Sequence, residues 1–369
     1  MTLNPKNILA PIPKSIVWDL SRPVLDISQF PAVAAELKNS CIVRLFHLSK
    51  DFLGLGLYCH PEQRLYFLSN ENKSIEALIT KKLGDAFKKR GPHVGDLSAF
   101  RLIHHGHDLV QGVVVEKYNN VFVIKTYNEA ADLLIGPLSE ILVKNLSADA
   151  VLLKNYFDKR LKRNLVLSDQ IVAGGLCEDL LQIRENNLCY TYDTKNNRDL
   201  FACPLRQIRG WLNTMIQDKV ALNILLIGAK EEAVISDTTQ KNIGQVLTVT
   251  FDDVSLSEIT DRIRGHLTTS PVKFDCVVIK QPPVKMTDKN TTAFFHLYYN
   301  MLKSLSNNAH IFFHCSNWQG IKPVLKHSIS KAGRSFSILK REDNPFDFPA
   351  GPNDPHPAWK SLWLSLNGS

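Results

Sequence analysis

The sequence of 369 residues has no long apolar run. Stretches such as Ile224-Leu-Leu-Ile227 and Val277-Val-Ile279 fall far short of the roughly 20 residues that a spanning helix needs, so no transmembrane helix is expected. The start, with its broken Ile8-Leu-Ala-Pro-Ile-Pro13, lacks the continuous apolar core of a secretory signal, and a cytoplasmic location is expected. No Cys-x-x-Cys pair occurs among the seven scattered cysteines, which argues against a zinc framework and a disulfide scaffold and leaves reduced thiols as the expectation. There is no internal repeat, no low-complexity tract and no linker in which the 18 glycines or 18 prolines collect. Domain boundaries must therefore come from changes of pattern.

Charge of neither sign is scarce. The 44 Lys and Arg against 36 Asp and Glu leave a net charge of +8, which tilts the odds toward polyanionic partners without naming one. Cys41–His47, Phe52–Tyr58 and Arg64–Leu68 read as short strands of a β-rich module over residues 1–92. A helix with Ile75, Leu78, Ile79, Leu83 and Phe87 on one face closes that module at the stop Gly91-Pro92. An α+β segment over 93–185 follows, with a hairpin turning at Asn119-Asn120, a helix over about 129–145 and a strand over 151–155. From 186 to 369 buried strands alternate with helices, and strands apolar on successive residues point to a doubly wound, parallel α/β sheet.

In such a sheet a ligand lies beyond the carboxyl ends of the strands. Gly228 stands at the first strand-to-helix turn, but with a single glycine and Glu231-Glu232 after it an ordinary tight turn is an equal reading. Asp252, 24 positions further on, sits near the spacing at which an acidic side chain accepts from a ribose hydroxyl. Gln281-Pro282-Pro283 ends the third strand as a stiff wall on which a planar base could stack. Cys315 ends the fourth, beside His314, where a lowered pKa would make it a nucleophile; cysteine is also among the most buried residue types. His104-His105-Gly106-His107-Asp108 lacks metal-ligand spacing and reads as a solvated loop, so no metal is expected. Lys81-Lys82, Lys88-Lys89-Arg90 and Lys159-Arg160-Leu161-Lys162-Arg163, with Tyr58, Tyr66 and Phe67 between, suit an RNA surface of phosphate contacts and stacking.

The collinear series Phe52–Tyr58, Phe100–Ile103, Asp108, Gly112–Tyr118, Arg206, Arg209, Phe274–Pro283 and Phe312–Ser316 resembles the PUA-domain-containing, S-adenosylmethionine-dependent methyltransferases that make 5-methylcytosine in bacterial large-subunit ribosomal RNA. The resemblance implies a PUA-like module, an α+β middle domain and a C-terminal Rossmann-like class I methyltransferase domain. It also implies S-adenosylmethionine as cofactor and ribosomal RNA as partner. Cys315 would add to C6 of the pyrimidine, so that C5 takes the methyl group and then loses its proton to release the enzyme. Gln281 with Pro282 and Pro283 would shape the base pocket, and Gly228 with Asp252 would line the cofactor site.

The chain departs from the family pattern in five places, two of them in the middle domain, where His105-Gly106 stands for a Gly-Glu pair and Val110-Gln111-Gly112 for Leu-Pro-Gly. Ile227-Gly-Ala-Lys-Glu-Glu232 replaces a glycine-rich loop, Gln281 replaces the Asp of Asp-Pro-Pro, and the stretch from Asp253 to Phe274 is too short for the helix, strand and further helix found there in the family. A protein that keeps the scaffold and binds RNA or the ribosome without catalysis is the second reading of the same residues.

Overall fold

The computed structural model describes residues 4–10, 18–19, 23–108, 110–175, 179–195, 201, 203–217, 219–231, 234–251, 256–269, 272–281, 286–343, 345–347 and 360–367. These fall into two compact units whose boundary lies at Leu181, with Thr194 and Lys195 returning to the first. Both N-terminal sheets belong to that first unit.

The first sheet runs β1-β3-β4-β5-β2 and is built from β1 (Lys6–Ala10), β2 (Val24–Asp26), β3 (Cys41–His47), β4 (Phe52–Cys59) and β5 (Arg64–Ser69), with a short α1 (Pro31–Glu36). The early residues are part of its core: Ile8, Trp18, Leu25, Ile27, Val33 and Leu37 pack with Val43, Leu45, Tyr58 and Phe67. Trp18 also explains the glycines of β4, because a Cβ on Gly56 would come within 2.6 Å of its ring.

Helix α2 (Ile75–Val94) begins at a Ser74 cap, whose side chain accepts from the Ala77 N–H. It does not stop at Gly91-Pro92 as the sequence suggests. Pro92 sits in the last turn, and Gly95, at φ +47°, ends the helix.

The second sheet runs β10-β9-β8-β7-β6, from β6 (Ala99–His104), β7 (Val113–Tyr118), β8 (Val121–Thr126), β9 (Ala150–Lys154) and β10 (Asp169–Gly174). Asn119 takes φ +51° at the β7–β8 turn, the conformation for which asparagine suits that place. The helix expected over 129–145 is two, α3 (Glu129–Asp132) and α4 (Ile135–Leu146), and the basic cluster begins in the single turn α5 (Asp158–Leu161).

In the second unit, β11 (Leu180–Glu185) and β12 (Leu188–Asp193) form a hairpin ahead of α6 (Arg206–Gln217). Then come β13 (Leu222–Ile227), β14 (Ile243–Val249), α7 (Leu256–Thr269), β15 (Phe274–Lys280), α8 (Asp288–Ser304), β16 (Leu305–Cys315), α9 (Trp318–Lys331), β17 (Ser335–Glu342) and β18 (Lys360–Asn367). The sheet order is β14-β13-β15-β16-β18-β17. Its first four strands are mutually parallel, while β18 runs antiparallel to both β16 and β17, so the sheet is mixed rather than wholly parallel.

Alternate residues of β13, β15 and β16 enter two different cores. Leu225, Val277 and Phe313 pack with α8 and α9, whereas Leu226, Val278 and Phe312 pack with α6. One helix, α7, occupies the short stretch after β14, which leaves β14 as an edge strand of this sheet among the described residues. Among those residues no helix is long and apolar enough to cross a membrane.

Candidate active site and basic clusters

Gly228 follows β13 at φ +72°, and its N–H donates to the Val249 carbonyl at 2.8 Å. A Cβ here would lie 2.3 Å from the Lys280 carbonyl oxygen and 2.4 Å from the Phe251 ring. Both the left-handed backbone and the close packing of the chain on itself therefore demand glycine. Asp252, Pro282 and Pro283 lie outside the described residues.

Gln281 follows β15, and its side chain is fully buried. Its N–H donates to the His314 carbonyl at 2.9 Å, and its Oε1 accepts from the Tyr298 hydroxyl of α8 at 2.6 Å. Its Nε2 is buried with no hydrogen-bond partner among the described residues. An amide donor withdrawn from water and left unsatisfied costs about 1–3 kcal/mol, and a ligand acceptor arriving at this strand end would recover that cost.

Cys315 is not at an open rim. Its side chain is 0% exposed and packs with Phe313, Trp318 and Leu362 in the core on the α8–α9 side. The period of two along β16 turns Cys315 to the same face as Ile311 and Phe313 and His314 to the other. Burial pushes the Cys315 thiol up to about 12, against the opposing pull of a hydrogen bond from the Asn317 backbone and the Lys360 charge. His314 does not activate it: burial, and then the Lys280 charge, push that imidazole down to about 3, and its Nδ1 lies 3.1 Å from the Ser361 hydroxyl. The structure thus corrects the expectation of an exposed, activated thiol, because a strand end surrounded by hydrocarbon favours the neutral form.

The basic clusters divide by residue type. Arg90 is buried and makes a bidentate pair with Asp108 (3.0 and 2.6 Å), and its Nε donates to the Arg101 carbonyl at 2.6 Å. Arg160 is buried too, paired with Asp132 (2.9 Å twice) and donating to the Thr126 carbonyl at 2.9 Å. Neither arginine is a surface contact for RNA, which corrects the expectation. Lys88, Lys89, Lys162 and Arg163 are exposed, Arg163 reaching Glu62 at 2.6 Å. Lys159 lies in α5 with its side chain outside the description. The histidine run is no solvated loop either: His104, His105 and Asp108 are buried, and Asp108 accepts the His104 N–H at 2.7 Å. Among the described residues no group of side chains suits a metal ion.

Two features escaped the sequence reading. Glu185 of β11 is buried and accepts from Arg206 (3.1 Å) and Arg209 (2.7 Å at each oxygen), which fixes α6 against the hairpin. Tyr298, four positions after Phe294 on the buried face of α8, is the partner of Gln281; helical spacing marks it as core but not as a hydrogen-bond donor.

The sheet order, with antiparallel β18 inserted between β16 and β17, is the Rossmann-like fold of class I methyltransferases. The structure is similar to an S-adenosylmethionine-dependent methyltransferase from Streptococcus mutans, at a TM-score of 0.67 and 15% identity over 98% of this chain and 100% of that one. It is also similar to SMU.776, a methyltransferase solved with S-adenosylhomocysteine, at a TM-score of 0.64 and 16% identity over 94% and 96% of the two chains. In sequence, the chain is 22% identical over 311 residues to YwbD of Bacillus subtilis, covering 76% of this chain and 77% of that one. YwbD is named as a ribosomal RNA large subunit methyltransferase. A second relative, ribosomal RNA large subunit methyltransferase I of Shewanella amazonensis, is 23% identical over 178 residues, 47% of this chain and 45% of that one. No family model matches the chain.

Proposed function

We propose that this protein is an S-adenosylmethionine-dependent methyltransferase acting on large-subunit ribosomal RNA. The observation that carries the reading is the extent of the likeness to YwbD, which takes in 76% of the chain and so reaches beyond the C-terminal sheet alone. In this reading the segments 1–92 and 93–185 hold RNA, the first as a PUA-like module, and 186–369 carries the transfer.

The described residues at the sheet rim fit such a cofactor at one point. The orphaned Gln281 amide is a buried donor at the carboxyl end of β15, where this fold class takes its ligand. When bound, the cofactor's sulfonium supplies an electrophilic methyl group. Gln281 would hold an acceptor atom of the ligand, Tyr298 would fix the orientation of the amide, and the Phe251 ring beside Gly228 would border the pocket.

The finer assignment, cytosine C5 through a Cys315 thiolate, is not part of the proposal. Burial raises the Cys315 thiol to about 12, which disfavours the thiolate at pH 7, and among the described residues its sulfur is enclosed by core side chains.

Isothermal titration with S-adenosylhomocysteine, followed by transfer of labelled methyl groups to ribosomal RNA from cells lacking the protein, tests the reading. Binding weakened at least tenfold in Gln281→Leu, with methyl transfer retained in Cys315→Ala, is the expected result. No heat with the wild-type protein would overturn the methyltransferase assignment, and loss of transfer in a folded Cys315→Ala would restore the covalent route.

A further inference from the structure

A cleft of about 600 Å³ opens between α2 and the end of β5, with Phe67, Leu78 and Ala86 among its apolar lining. Lys81 and Lys88 are seven residues apart on α2, as are Lys82 and Lys89, so all four ammonium groups share one helix face. Opposite them Ser69 and Asn70 add neutral hydrogen-bonding groups.

The acidic residues that line the cleft are Asp19, Glu71, Asp85 and Asp108. Glu71 is held by Lys81 and by Lys73, at 2.5 Å from the latter. Asp108 is saturated by Arg90 and lies 4.0 Å from Lys89, and Asp85, on the same face of α2, is one carboxylate among four lysines. Lys82 differs from the other three lysines. Its side chain is half-buried, and among the described residues it has no hydrogen-bond or ion-pair partner. Burial, reinforced by the charges of Lys81 and Lys89, brings its pKa down to about 8, while Asp85 and Asp108 pull the other way. Asp85 and Asp108 offset only part of the cost of desolvating this ammonium, since its pKa still falls, and an anion entering the cleft would relieve the remainder.

We propose that this cleft binds the phosphodiester backbone of an RNA strand, with Lys82 as its innermost cationic contact. Compact point charges on flexible stems suit phosphate oxygens, and neutral hydroxyl and amide groups opposite suit ribose. The inference deepens the RNA reading above and rests on it.

The test is fluorescence anisotropy of the full chain with a labelled single-stranded ribosomal RNA 20-mer, across salt and pH, for wild type, Lys82→Gln and Lys82→Arg. Lys82→Gln removes a half-buried charge, and its urea midpoint should stay near that of the wild type, with Lys82→Arg as the charge-keeping control. Lys82→Gln is expected to weaken binding about fivefold and to lower the salt slope by about 0.7, one phosphate contact on a single strand. Wild-type affinity should fall as pH rises from 7 to 9 and the ammonium is lost, and Lys82→Arg should bind like the wild type at pH 7 without that fall. Affinity and salt slope unchanged in Lys82→Gln, with RNA still bound by the wild type, would overturn the cleft and leave the RNA substrate standing. Displacement by polyglutamate as effective as by RNA would assign the cleft to an acidic peptide. Displacement by millimolar inorganic phosphate would reduce it to a pocket for a free anion. No RNA binding by the wild type would overturn both the cleft and the RNA substrate, while cofactor titration of the same sample would report separately on the methyltransferase.

Discussion

The helical arginines buried in the N-terminal unit and the polar groups at the end of the C-terminal sheet meet the same loss of water in opposite ways. Arg90 and Arg160 stay charged inside the protein because each guanidinium, with five donors in a rigid fork, is matched by a carboxylate and by backbone carbonyls. At the end of β16 burial outweighs the nearby Lys360 charge and keeps Cys315 and His314 neutral. Full satisfaction and full neutralisation both make a polar group structural. Among the described residues the Gln281 amide in one unit and the Lys82 ammonium in the other have neither, and both line a place that a ligand could enter.

That contrast is most sharply broken at Glu185, the one described place in the C-terminal unit where two buried guanidiniums share a carboxylate. Glu185→Ala should strand the charge of Arg209 in the interior, while Arg206 keeps Asp347 at 2.6 Å, and cost about 3–5 kcal/mol in urea unfolding. A loss below about 1 kcal/mol would mean that water reaches these guanidiniums, and the distinction between paired and neutralised burial would fail at that site.

A pH series sharpens the other side. The His314 pKa falls from an ordinary 6.5 in the unfolded chain to about 3 in the native state, so between these values the unfolded state binds the extra proton. Its contribution to stability is complete above pH 6.5 and is lost as pH falls toward 3, with a slope of up to about 1.4 kcal/mol per pH unit. His314→Gln should remove one proton's worth of that slope from urea midpoints measured between pH 6.5 and 4. An unchanged slope would show that the imidazole is already protonated in the native protein.

Much of this architecture was legible because periodicity records which face of an element is buried. Strands β3, β4, β5, β15 and the β7–β8 hairpin lie within a residue or two of where alternation and Asn119 put them, and α2 begins where its Ile75–Leu83 stripe begins. Periodicity does not record a distant partner. Lys88-Lys89-Arg90 is one run of cations in sequence, yet the carboxylate that draws Arg90 inside lies 18 positions away, and the one that holds Arg160 lies 28 away. The antiparallel insertion of β18, which defines the fold class, depends on pairing between segments that are remote in the chain. Cys315 shows the same limit at a single residue. Its place at a strand end was readable, but whether that end was open depended on α8, α9 and β18 closing over it.

The smallest expected effect is at the outer edge of the α2 cleft, and it tests whether the sorting of cations holds within one helix. Lys88 and Lys89 are exposed neighbours of the buried Arg90, and Lys89 approaches Asp108 only at 4.0 Å, behind the direct Arg90 pair. An exposed ammonium at that distance adds little to folding because water and salt screen it. The double variant Lys88→Gln, Lys89→Gln should therefore leave the urea midpoint within about 0.5 kcal/mol of wild type. In the same anisotropy assay it should weaken RNA binding about twofold to threefold, less than Lys82→Gln, since solvated charges lose less on binding than a desolvated one gains. A stability loss well above that bound would make these lysines partners of Asp108 alongside Arg90, and the division between structural arginines and ligand-facing lysines would no longer describe the helix.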